Sequence, residues 1–329
     1  MQDPSDIAAT AARSVRTHAR IRDHIVKTPL LGSASIGASV AGTVLFKCEN
    51  FQLTGSFKAR GAFAKLTALD GQAQNVPFVT ASSGNHGIAS SLAASHLSRN
   101  LSVVLPHNVS KAKLSRIRGF GVDVIQYGTE SGQSETHARK LSQQNGFVYV
   151  SPYNDLDVVA GQGTIGLELL DQHPGIDNVF IAMGGGGLIS GIGAVLKAFS
   201  PRTRIIGCAA ANTMALAAAM EIGKVVDVEH LPTLADGVAG GMDEDSVTLG
   251  LARSVVDEVV VCSEIEIAAA LARLAVEEHL LVEGAAGLAL AGLLKQPERY
   301  RGQVNAVVLC GGNFDYDELS AVIAAARSA

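Results

Sequence analysis

The strongest constraint on this chain is an alternation along its length. Eight short runs rich in Val, Ile and Phe fall at residues 76–80, 101–105, 122–127, 147–150, 179–183, 205–208, 259–262 and 306–310. Between them, apolar residues recur at helical spacing, as at 88–97, 110–118, 136–143, 188–199 and 265–279. Strands joined through helices run parallel, and the helices then cover both faces of the sheet. The pattern therefore predicts an α/β fold with mostly parallel, doubly wound sheets. A further amphipathic stretch, 5–26, predicts an N-terminal helix capped by Asp3 or Ser5. The 329 residues suit one large or two modest domains. Pro77 and Pro152 bracket four of the strand runs, far too much chain for a loop. That predicts a smaller α/β domain, 76–152, inserted into a larger one made of 1–75 and 153–329.

Composition narrows the function classes. The net charge is −5 and no basic block occurs, so a protein built to bind nucleic acid or anionic membrane is excluded. Cys48, Cys208, Cys262 and Cys310 are far apart, which argues against a disulfide framework or a zinc site. The first residues carry acids and no apolar core, unlike a signal peptide, and a cytoplasmic location is expected. Glycine is in excess, 35 residues, and must sit in turns and close approaches.

Two turns follow strand runs directly. In Asn178-Val-Phe-Ile-Ala-Met-Gly-Gly-Gly-Gly-Leu-Ile-Ser-Gly, a strand leads into Gly184, Gly185, Gly186 and Gly187 and then a helix. Backbone N–H groups converging at a helix N-terminus suit a phosphate. A Walker loop is excluded, since no lysine follows until Lys197. A dinucleotide pattern occurs literally only at Gly161-Gln-Gly163-Thr-Ile-Gly166, without a preceding strand or a following acid, so a nicotinamide oxidoreductase is disfavoured. The second turn, Ser82-Ser83-Gly84-Asn85-His86-Gly87, gathers hydroxyls, an amide and an imidazole that can surround a carboxylate. Helix capping by Ser83 or Asn85 explains one of these residues but not four.

Lys58, in Thr54-Gly-Ser-Phe-Lys-Ala-Arg-Gly61, opens a helix-period run. A helix N-terminus and the nearby Arg60 both disfavour its ammonium form, as an amine nucleophile forming a Schiff base requires. A strand ending in Cys310-Gly311-Gly312-Asn313 completes the set; taken alone, the cysteine reads as a small buried hydrophobe.

With their order and spacing, the tracts TGSFKARGA, SSGNHG, AGQGTIG, GGGGL, LADGV and CGGN resemble the fold-type II pyridoxal-phosphate enzymes, in the threonine/serine dehydratase and serine racemase branch. The resemblance spans nearly the whole chain. It implies that Lys58 carries pyridoxal 5′-phosphate beside Phe57, that Asn85 bonds the ring's 3-oxygen, and that Gly184, Gly185, Gly186, Gly187 and Leu188 cradle the phosphate. It places Cys310 next to the ring nitrogen, the substrate carboxylate on Ser82, Ser83, Asn85 and His86, and Gly237 beside the substrate side chain. Glu283 lies near the ring with no role assigned. The implied reaction is β-elimination of a small β-hydroxy-α-amino acid such as L-threonine or L-serine to a 2-oxo acid and ammonia, with Lys58 as base. A neutral Cys310 would leave the carbanion shallowly stabilised and ready to expel hydroxide.

Alternatives stay open: dehydration of 3-hydroxyaspartate, phenylserine or a hydroxyectoine-derived amino acid, serine racemisation with Ser83 as a second base, or a non-catalytic phosphate-ligand binding module. Cation-dependent relatives carry carboxylates after the 205–208 strand, where this chain reads Ala209-Ala-Ala-Asn-Thr-Met, so no metal site is expected. The chain ends one helix after Asn313, implying a catabolic enzyme without a regulatory domain. Relatives are commonly dimers, and a homodimer is expected.

Overall fold

The computed structural model describes residues 6–69 and 76–326. Its strands are β1 (Leu30–Ser33), β2 (Thr43–Cys48), β3 (Phe78–Ala81), β4 (Leu101–Leu105), β5 (Asp123–Gln126), β6 (Val148–Tyr149), β7 (Asn178–Ala182), β8 (Arg204–Ala210), β9 (Glu258–Cys262) and β10 (Val304–Leu309). They form a larger sheet, β1-β2-β10-β7-β8-β9, and a smaller one, β5-β4-β3-β6. Every pairing is parallel except β1 with β2.

The eight expected strand runs are all present, with ends shifted by a few residues. The alternation did not reveal β1 and β2. The first is only four residues long. The second carries Lys47, which is completely buried and interrupts the apolar run by which a covered strand is recognised. Its ammonium is held by Glu168, by the Thr28 carbonyl at 2.8 Å and by Gln172 Oε1 at 3.0 Å.

The expected helices form as Asn85–His96, Lys111–Arg118, Ser131–Asn145, Gly187–Phe199 and Glu264–Glu277. The N-terminal helix is Ile7–Ile21, capped by Asp6, whose carboxylate accepts the Ala9 N–H at 2.9 Å. Asp3 and Ser5 lie outside the described residues. The Gly161–Gly166 tract falls inside a helix that the strand–helix pattern missed, Leu156–Gln172. There a Cβ at Gly161 would come within 2.6 Å of the Arg60 carbonyl oxygen, and one at Gly163 within 2.2 Å of Ser14 Oγ. Those glycines let three helices pack closely, which accounts for the motif without a nucleotide.

One core, including Phe46, Phe180, Ile206 and Val307, covers the larger sheet. The smaller sheet is covered on both faces: Phe78 of β3 enters a core with Phe63, Ile88 and Leu101, whereas Val79 packs with Val104 and Ala138. Successive strand residues serve opposite faces, as the pleat requires. The core on the Phe78 side draws in Ala59, Ala62, Phe63 and Leu66 of the helix Lys58–Thr67, ahead of the Pro77 joint.

Candidate active site

A cavity of about 950 Å³ opens at the carboxyl ends of β3, β7 and β10, with walls from both sheets. Strand carboxyl ends are where open parallel sheets collect ligand-binding turns.

Backbone pairing brings two distant tracts together. The Phe57 N–H donates to the Cys310 carbonyl at 3.0 Å, and the Gly312 N–H donates to the Gly55 carbonyl at 2.8 Å. Ser56 and Gly311 form an antiparallel bridge. Gly55 sits at φ +73°, a left-handed conformation that favours glycine. The turn delivers Lys58 as the first residue of its helix. Its Nζ donates to the Pro152 carbonyl at 2.8 Å and lies 5.0 Å from the centre of the Phe57 ring. Burial lowers this amine to about 8, against the opposing pull of Cys310 and Glu283. The direction agrees with the sequence argument, but the cause differs. Arg60 contributes nothing to it, because its guanidinium is bound elsewhere by Glu49 and Glu168.

The four glycines follow β7. Gly186, at φ +88°, caps the helix Gly187–Phe199. The Ser190 N–H donates to the Gly186 carbonyl at 3.0 Å, so N–H groups earlier in the turn have no helical acceptor. Tyr153 and Val238 close the outside of this turn. A Cβ at Gly185 would meet Tyr153 Cγ at 2.5 Å, and one at Gly184 would meet Val238 Cα at 3.0 Å. Leu188 follows on the cavity wall.

The polar turn after β3 leads into the helix Asn85–His96, which is capped by Gly84 without any side-chain cap. Capping therefore explains neither Ser83 nor Asn85. Ser82 Oγ accepts the Gly84 N–H at 3.2 Å, and Ser83 lines the same cavity. Asn85 Nδ2 donates to both oxygens of Glu283, at 3.0 and 2.9 Å, while its Oδ1 accepts from Asn313 Nδ2 at 2.7 Å. Burial pushes the Glu283 carboxyl up to about 7, opposed by the Asn85 bond and reinforced by Asp236. Cys310 Sγ lies 3.9 Å from Glu283 Oε1, and burial raises this thiol well above its usual range, so it stays neutral.

His86 lines the cavity as well. Its Nε2 lies 2.9 Å from the Val150 carbonyl, which only accepts, so Nε2 carries the proton. Burial first, then Lys58, pushes the ring down to about 3. A neutral ring of this tautomer offers an acceptor, not a donor, at its other nitrogen. Gly237 sits where an added Cβ would be 3.4 Å from Ala285 Cβ and 3.5 Å from Glu283 Oε1. Tyr153 and the Pro152 carbonyl were missed in the sequence. Nothing local marks them, because the fold alone sets them against Gly185 and Lys58.

The family described as pyridoxal-phosphate dependent enzyme matches residues 21–311. The chain belongs to that family. Among curated relatives, the L-threonine ammonia-lyase of Thermotoga maritima is 34% identical over 303 residues, covering 92% of this chain and 75% of that protein. Among solved structures, maize serine racemase superposes with a TM-score of 0.89 at 30% identity, covering 98% of both chains. The processed form of threonine deaminase isoform 2 from Solanum lycopersicum gives 0.91 at 29%, over 98% of this chain and 94% of that one.

The residues fit the family's cofactor. A glycine turn that any Cβ would crowd lies at a helix N-terminus, and a lysine with a lowered amine lines the same cavity. Among the described residues, no group of three or more His, Cys, Asp or Glu side chains is placed to hold a metal ion. Among the same residues, no helix is long and apolar enough to cross a membrane.

Proposed function

We propose that this chain is an ammonia-lyase that dehydrates a small β-hydroxy-α-amino acid, such as L-threonine or L-serine, to a 2-oxo acid and ammonia. The observation that carries this reading is the Lys58 amine, held near 8 on the wall of a cavity shared with the glycine turn and Cys310. Pyridoxal phosphate, when bound, supplies an electron sink for negative charge at the substrate Cα. Lys58 Nζ would hold that group and would serve as the general base for the Cα proton. Main-chain N–H groups of Gly184 to Leu188 hold the phosphate, and Phe57 packs beside the ring. Asn85, oriented by Glu283 and Asn313, offers its amide to the ring oxygen. The Cys310 thiol keeps its proton and would be the residue beside the ring nitrogen, a neutral neighbour that would not charge it. Ser82, Ser83, Asn85 and the His86 N–H take the substrate carboxylate, and Gly237 borders its side chain.

The test is 2-oxo acid release from L-threonine and L-serine, together with borohydride trapping of the cofactor on the protein. Release and a trapped adduct on Lys58 are expected; no release and no adduct would overturn the reading.

Racemisation of serine is the second reading. It is supported by Ser83 on the same cavity and by the likeness to maize serine racemase. D-serine formed as fast as pyruvate would put it first. The chemistry is read as independent of divalent cations, so excess chelator should leave the rate unchanged and Mg²⁺ should not raise it. We also infer a cytoplasmic homodimer. Four buried, free cysteines support a reducing location, and Phe51 and Leu53, about half exposed, suit self-association. Residues 76–152 are read as a small inserted domain, since β3 to β6 make a sheet of their own.

A further inference from the structure

The helix Ser131–Asn145 places on the cavity wall a carboxylate that the proposed reaction does not use. Glu135 lines the cavity with its side chain 37% exposed. Its Oε1 accepts from Arg139 Nε at 3.2 Å, from Arg139 Nη2 at 2.8 Å and from the Tyr149 hydroxyl at 3.1 Å. All three bonds fall on that one oxygen, which fixes the side chain and leaves Oε2 outside the set. Arg139 Nη2 also lies 2.8 Å from both oxygens of Asp243. Two carboxylates thus share one guanidinium, and the group keeps a net negative charge. Burial raises the Tyr149 hydroxyl, so it remains a neutral donor. Asp236, on the same cavity, has the same sign.

We propose that Glu135 selects the substrate by its side chain, accepting β-hydroxy-α-amino acids that end in an ammonium group and refusing those that end in a carboxylate. The inference rests on the dehydratase reading above. There, the polar turn at 82–86 takes the α-carboxylate, which leaves the far end of the substrate to meet the other residues that line the cavity, Glu135 among them. An ammonium there gains a charge-assisted hydrogen bond to a carboxylate that is already held in place. A second carboxylate meets like charge, and such repulsion discriminates between substrates as strongly as an attraction does. Lys113 and Arg116 also border the cavity, but both are exposed, and Arg116 Nη1 is engaged by Asn313 Oδ1 at 3.0 Å. Of the substrates left open by the sequence, 3-hydroxyaspartate is therefore the one that this wall disfavours.

Two measurements on the cofactor-loaded protein test the inference. The first needs no turnover: calorimetric affinities of L-2,4-diaminobutyrate and L-aspartate, neither of which has a β-hydroxyl to lose. The diamine should bind at least about tenfold more tightly, and Glu135→Gln should bring the two within about threefold. The second is kcat/KM for 2,4-diamino-3-hydroxybutyrate and for 3-hydroxyaspartate, each relative to L-threonine. In Glu135→Gln the first ratio should fall and the second rise. A side chain that only braces its helix would lower all three substrates together. Aspartate binding as tightly as the diamine in the wild type, or ratios unmoved in the variant, would overturn the proposal. Should Glu135→Gln fail to fold, the wild-type preference decides alone. A binding preference without 2-oxo acid from any substrate would sink the dehydratase reading and leave the role of Glu135 standing. Turnover without the preference would do the reverse.

Discussion

Lys58 and Arg60 stand two residues apart at the start of one helix, and their surroundings differ in one respect, the supply of carboxylates. Residues at that spacing do not share a helix face. Arg60 turns into a fully buried site where its Nε and Nη2 meet Glu49 at 2.8 Å each, and Nη1 and Nη2 meet Glu168 at 2.6 and 2.9 Å. Lys47 joins the same cluster through Glu168. Lys58 turns to the cavity, where its amine donates to the Pro152 carbonyl. Coulombic pairing holds the first group charged, whereas burial without a paired carboxylate drives the second towards neutrality. One cation is tied into the scaffold and the other is left free to react.

The largest expected effect would break that contrast on its reactive side. Lys58→Ala should lower 2-oxo acid release by at least about 10⁴-fold, the upper range for losing a general base. In urea titration its stability should stay within about 1 kcal/mol of the parent. The scaffold side gives the opposite pattern. Arg60→Met leaves two buried carboxylates short of a partner and should cost about 3–5 kcal/mol in the same titration. An Arg60 variant of undiminished stability would show that the cluster is not the support described here.

Gly185→Ala sharpens the comparison from a third direction, because it alters the phosphate turn and touches neither cation. The new methyl has to displace the Tyr153 ring, which should cost about 1–3 kcal/mol. Pyridoxal phosphate affinity, followed by absorbance, should weaken. The smallest effect is one of pH. The neutral amine is the nucleophile, so the rate at which cofactor-free protein takes up pyridoxal phosphate should rise with pH and level off above about 8. An ordinary lysine, at 10.5, would keep the rate rising well past that point.

Much of this was legible in the sequence because it is periodic or local. The strand–helix alternation announced both sheets, and a run of four glycines after a strand announced the turn that opens the next helix. What escaped notice depends on contacts across the fold. Strand β2 was hidden by Lys47, a charge tolerated in a covered strand only because Glu168, 121 residues away, meets it. Gly84 rather than a serine caps its helix, and His86 is occupied by a carbonyl at Val150; neither follows from the Ser-Ser-Gly-Asn-His spelling. Glu135 reads as one more charge on a polar helix until the small sheet turns it towards the cavity.

The place of β10 in the larger sheet has a consequence for biosynthesis. It lies between β2 and β7, which touch no other common strand, yet among the described residues it is the last strand in chain order. A nascent chain short of residue 304 therefore holds two unjoined pieces of that sheet, with the edges of β2 and β7 bare, whereas the strands from 78 to 149 can already pair. The cavity lacks its β10 wall until that strand, Val304–Leu309, pairs with both neighbours, so a chain cut short of it should not hold the coenzyme.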